Sequence, residues 1–196
     1  MLEYIKGEIV ELTPASVVLE VNGLGYFVSI SLNTYSALST QKTCQLFVYE
    51  VIREDAHLLF GFIDKRERDL FLLLISVSGV GANTARMVLS SLAVYELEGI
   101  IATGNANALK TVKGIGAKTA ERIILDLKDK VKQGATPSGT ATSATIVRSE
   151  TAQEAVSALV MLGFNQPAAH KVVSKIAASD PTLPVEQMIK HALKLL

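Results

Sequence analysis

The sequence predicts an α+β chain of several domains: a β-rich head, an all-helical middle and a three-helix tail. Three observations carry this. Short runs rich in β-branched and aromatic residues fill 1–63, the apolar spacing switches to a helical period at Asp64, and a stretch almost without charge or large apolar residues interrupts the chain from Gly134. With 196 residues and 49% apolar composition, each part has material for a core.

The head comes first. Strands are expected at Tyr4–Val10, Ser16–Val21, Tyr26–Ile30, Leu46–Val51 and His57–Phe62. Asn22-Gly23 suits a turn needing positive φ, and Thr13-Pro14-Ala15-Ser16 separates the first two strands. Five strands in so short a segment hide their edges most economically by closing, which predicts an OB-like five-stranded barrel over 1–63. Within it, "VIREDAHLLFGF" sets Glu54 and Asp55 side by side at a hairpin tip, where a solvated acidic turn keeps the sheet edge from sticking.

Helices follow over 64–133. Asp64-Lys65-Arg66-Glu67 has the spacing of a capping box, with Asp64 as N-cap and Glu67 reaching back, and Leu70, Phe71, Leu73 and Leu74 continue as an apolar stripe. Gly134–Thr145 reads as part of a flexible linker over 134–148. A three-helix domain is then expected over 149–196. Thr151-Ala152-Gln153-Glu154 offers a second capping box, Gly163 a helix stop, and Pro167 and Pro184 mark the first turns of two further helices. A unit this small suits recruitment better than catalysis.

The net charge of zero conceals an uneven distribution. Residues 1–63 carry three basic and seven acidic side chains, a net of −4, whereas 64–133 carry eleven and eight, a net of +3. The N-terminus lacks the layout of a signal peptide and no apolar run approaches a membrane span, so a cytoplasmic protein is expected. The single Cys44 fits a reducing compartment as a buried strand residue, and His57, His170 and His191 show no metal-ligand spacing, so neither metal nor cofactor is expected.

The middle segment repeats itself. "VSGVGANTA" at 77–85 and "VKGIGAKTA" at 112–120 stand 35 residues apart and agree at six of nine positions. Each is a Gly-x-Gly turn between helices, where the backbone can approach a ligand and the free N–H groups of the next helix point outward. Such a turn is a seat for a phosphate, and Lys110, Lys113, Lys118 and Arg122 surround the second copy with positive charge. One copy alone serves equally as a tight helix corner. Two copies with basic flanks favour a nucleic-acid backbone bound without reading its bases. A nucleotide-binding P-loop is excluded by spacing, because Ala117 rather than glycine precedes Lys118 and the turn is too short.

The order of "REDAHLLFGF" at 53–62, "GVGANTA" at 79–85, "GIGAKTAERII" at 114–124 and "EAVSALVMLGF" at 154–164 resembles the RuvA family of Holliday-junction branch-migration proteins over nearly the whole chain. The resemblance implies an OB-like barrel, a tandem helix-hairpin-helix domain and a three-helix, UBA-like C-terminal domain. It implies a homotetramer, or an octamer on DNA, that holds a four-way junction open in recombination and repair. A hexameric RuvB-type ATPase would be recruited by the C-terminal domain, and a RuvC-type resolvase is a further implied partner.

Phosphate contacts carry over to Gly79, Gly81, Gly114, Gly116, Lys118 and Arg122, and the acidic pin of the family to Glu54 and Asp55. Asn83 departs from the pattern, standing where relatives have lysine; it keeps a hydrogen-bond donor without the charge, and Arg86 is the candidate to compensate. Leu159, Met161, Leu162 and Phe164 are candidates for contact with the motor.

Two other function classes compete. A helix-hairpin-helix glycosylase or nuclease would need a poised acid or lysine beside a base pocket, or clustered carboxylates, and Glu121 and Asp126 read better as surface partners of Arg122, Lys128 and Lys130. A general OB-fold adaptor for single strands would need a basic, aromatic groove, which a head of net charge −4 does not favour.

Overall fold

The computed structural model describes residues 2–134, 143–180 and 183–196, with side chains left aside at 132–134 and 143–150. Two compact units divide the chain, Met1–Thr136 and Pro137–Leu196. No helix among the described residues is long and apolar enough to cross a membrane.

The first unit opens with strands β1 (Tyr4–Thr13), β2 (Ser16–Val21) and β3 (Leu24–Ile30), then helix α1 (Leu32–Leu38), then β4 (Thr43–Ile52) and β5 (His57–Phe62). They close into a barrel in the order β1-β2-β3-β5-β4, with β3 and β5 parallel and the other pairs antiparallel. The β2–β3 hairpin turns on Asn22 at φ 50° and Gly23 at φ 81°, the left-handed pair that a two-residue connection requires. Alternate residues point inward: Val17 and Leu19, Val28 and Ile30, and Cys44, Leu46 and Val48 are buried in one cluster. Burial pushes the Cys44 thiol up to about 11, which keeps it an inert core group.

Helices α2 (Lys65–Ile75), α3 (Ala82–Ser91), α4 (Val94–Thr103), α5 (Ala106–Lys110) and α6 (Ala117–Gly134) follow. Phe60 and Phe62 of β5 point into the helical core rather than the barrel core, and Phe71 of α2 meets them at ring-centroid distances of 5.5 and 4.8 Å. Barrel and helices therefore share buried apolar surface.

The start of α2 departs from the expected capping box. Asp64 does accept the Glu67 N–H at 2.7 Å, but the Glu67 carboxylate reaches back to the Ile63 N–H rather than to that of Asp64. It is buried and accepts from the hydroxyls of Ser31 at 2.5 Å and Thr34 at 2.7 Å and from the Ile63 N–H at 3.3 Å. Glu67 thus joins α1 of the barrel segment to α2. Burial holds its carboxyl above the ordinary value of 4.5, outweighing the three hydrogen bonds that favour the charged form.

A raised folded value means that the folded state binds the proton more tightly than the unfolded state. The contribution of this group is complete below pH 4.5 and declines as pH rises through the folded value. The stability of the wild type relative to Glu67→Gln is therefore expected to fall from pH 4.5 upward in urea titrations, and a pH-independent difference would contradict the raised value.

The second unit holds α7 (Ser143–Met161), α8 (Gln166–Ser179) and α9 (Val185–Ala192). Their core is built by Ala155, Val156, Leu159, Ala169, Val173, Ile176, Met188 and Ala192. Gly163 at φ 97° ends α7, with Phe164 N–H returning to the Leu159 carbonyl at 3.1 Å. The expected linker over 134–148 lies partly outside the described residues, at 135–142. From Ser143 the backbone is helical, so the expected cap at Thr151–Glu154 falls inside α7 and not at its start.

Candidate nucleic-acid interface

The two halves of the sequence repeat fold alike. Val80 N–H closes the first turn on the Val77 carbonyl at 3.0 Å, and Ile115 N–H closes the second on Val112 at 3.1 Å. Gly79 at φ 93° and Gly114 at φ 90° lie in the left-handed region, which explains why both copies keep glycine there. The helices then start identically, Ala85 N–H to the Gly81 carbonyl and Ala120 N–H to Gly116, each at 2.9 Å. Val77, Val80, Val112 and Ile115 anchor the turns in the core, so the tips are held from beneath.

The outer side of each turn is bare backbone. Gly81 occupies the N-cap position of α3 at φ −86°, with no side-chain cap for the first-turn N–H groups. A Cβ added at Gly79, Gly81 or Gly116 would meet nothing within 4 Å. Lys118, Arg122, Lys110 and Lys113 are exposed around the second turn, and Asn83 is exposed at the matching place in the first. Donors, helix dipole and exposed cations border open space, which suits a phosphate.

Arg86 has partners within the protein. Its Nη1 donates to the carbonyls of Ala15 at 3.0 Å and Ile30 at 3.3 Å, both in the barrel segment, so it ties α3 to the barrel. Arg122 also has a protein partner, its Nη1 donating to the Ser78 carbonyl of the first turn at 3.3 Å. Met87 was not singled out by the sequence; extending the 35-residue alignment two positions past Ala85 and Ala120 would have paired it with Arg122.

Glu54 and Asp55 are exposed on the β4–β5 loop, which is closed by Arg53 N–H to the Ala56 carbonyl at 2.8 Å. In the second unit the four motor-contact candidates separate. Leu159 is wholly buried and Phe164 is partly buried against the same core, whereas Met161 and Leu162 are 90% and 61% exposed. Among the described residues no three His, Cys, Asp or Glu side chains are grouped to hold a metal ion.

Three family models match the chain: RuvA N terminal domain over residues 1–61, SAM-like Helix-hairpin-helix tandem over 71–129, and RuvA, C-terminal domain over 150–196. The chain is 58% identical over 196 residues to a protein of Parabacteroides distasonis, each covered in full. It is 58% identical over 201 residues to one of Bacteroides fragilis, again with full coverage of both, and 45% identical to one of Flavobacterium psychrophilum with 99% of each covered. Each of the three is named Holliday junction branch migration complex subunit RuvA.

Proposed function

The chain belongs to the RuvA family, and from that premise we propose that it is the four-way-junction-binding subunit of a branch-migration complex, acting in the cytoplasm. The observation that carries the mechanism is the doubled turn, two anchored Gly-x-Gly corners whose exposed N–H groups and flanking cations suit successive positions on a sugar-phosphate backbone. Gly79, Gly81 and Asn83 serve the first seat, and Gly114, Gly116, Lys118 and Arg122 the second. Binding of this kind is independent of base sequence.

Shape selection is assigned to Glu54 and Asp55. Repeated around a homotetramer, these acids repel a continuous duplex lying across the centre and tolerate an open junction, whose middle is empty. The subunit performs no chemistry itself. A RuvB-type ATPase supplies the motor, recruited by the second unit through the exposed Met161 and Leu162, and a RuvC-type resolvase is a further partner.

Gel-shift titration tests the core of this proposal: a four-way junction should bind more tightly than a linear duplex of matched length, and equal affinity would sink it. Each neutralised phosphate contributes roughly −0.9 to the log–log salt slope. Lys118→Glu is therefore expected to weaken junction binding and flatten that slope by about one. An unchanged slope removes Lys118 from the phosphate set.

A further inference from the structure

We propose that Arg122 and Met87 form a reciprocal strap that fixes the separation of the two phosphate seats. The functional consequence rests on the nucleic-acid proposal above, whereas the strap itself belongs to the free protein. Arg122 lies on α6, the helix leaving the second turn, yet its Nη1 hydrogen-bonds the Ser78 carbonyl of the first turn at 3.3 Å. Met87 lies on α3, the helix leaving the first turn, and its methyl carbon is 4.0 Å from where a Cβ on Gly114 of the second turn would stand.

The 35-residue offset makes Met87 the counterpart of Arg122 and Ser78 the counterpart of Lys113, the neighbour of Gly114. Each helix sends the same position back to the opposite turn. One crossing is polar and the other apolar, so they respond differently to substitution.

Two weak seats reinforce one another most when the second is already placed where the next backbone group arrives. Holding their separation in the free protein removes an ordering cost from binding. Arg122 is then a positioning residue as well as a cation. Its guanidinium carries five N–H donors, so a bond from Nη1 to Ser78 leaves others for a phosphate.

Hydrogen exchange on the full chain without DNA, followed by junction binding across a salt series, tests the strap. Arg122→Met should speed exchange of the Val80 amide, on the opposite turn, by about three- to tenfold, the factor one net hydrogen bond is worth. Arg122→Lys should restore most of the protection. Met87→Ala should speed exchange of the Ile115 amide and lower junction affinity with the salt slope unchanged, because no charge is removed.

Unchanged exchange in both variants overturns the strap, even if Arg122→Met binds DNA more weakly through its lost charge. Failure of the wild type to prefer a junction would instead defeat the nucleic-acid proposal, leaving the strap to be judged on exchange alone. Should Arg122→Met fail to fold, Met87→Ala decides, since Met87 is 39% exposed and uncharged.

Discussion

Replacing Gly81 and Gly116 together by alanine is expected to leave the chain folded and to weaken four-way-junction binding about a hundredfold, roughly tenfold for each seat. Neither position has positive φ, and a Cβ at either meets nothing within 4 Å, so the free protein has room for both methyl groups. Alanine is a poorer N-cap than glycine, which costs up to about 1 kcal/mol per site and a melting shift of about 2–4 °C. The added carbon stands on the open side of the turn, where it is expected to crowd a phosphate seated there. A charge-assisted hydrogen bond contributes about 1.5–3 kcal/mol, enough for the tenfold loss at each seat.

Gly79→Ala and Gly114→Ala make the contrast. At φ 93° and 90° an L side chain is strained, at about 1–2 kcal/mol each, so these variants should lose stability as well as affinity. Thermal melts beside gel shifts distinguish a helix corner from a binding seat. If the Gly81/Gly116 variant binds the junction like the wild type, the turns are corners only.

Replacing Glu54 and Asp55 together by asparagine is expected to tighten linear-duplex binding about ten- to a hundredfold and leave junction binding within a fewfold of wild type. A carboxylate about 5 Å from a phosphate is repelled by roughly 0.8 kcal/mol in water-like dielectric and about 3 kcal/mol at an effective value of 20. At the water-like value, two to three such approaches give the expected factor. Both residues are exposed on a loop closed by backbone, so asparagine leaves the barrel intact. Competition between junction and duplex for one protein sample measures the outcome. An unchanged preference would return the two acids to an ordinary solvated turn.

The barrel strands and the repeated turns were legible because their causes are local. Period-two burial along β2 and β3, the Asn22-Gly23 turn and the two copies of Gly-x-Gly are each written within a few adjacent residues. What escaped the sequence is set by partners distant along the chain. Helix α1 is only seven residues long, and its cap, Ser31, also bonds Glu67, 36 positions away. Glu67 looked like half of a capping box because the spacing cannot show that two hydroxyls elsewhere compete for its carboxylate.

The tie of Arg86 to the barrel escaped for the same reason. Its acceptors are backbone carbonyls 71 and 56 residues earlier, groups that every residue carries and no motif advertises. Leu159 and Met161, two positions apart, have opposite fates, buried and 90% exposed, which only the packing of α7 on its neighbours decides. The capping signal at Thr151 lay inside α7, whose backbone is already helical from Ser143.

The aromatic stack of Phe60, Phe62 and Phe71 has a mechanical meaning. Together with the Glu67 bridge and the Arg86 bonds it crosses the change from strands to helices at several points, so a load applied at the turns passes into the barrel through a braced strut. Grafting residues 1–63 of one relative onto the helices of another would cut that brace, because Phe60 and Phe62 would face a foreign partner in place of Phe71.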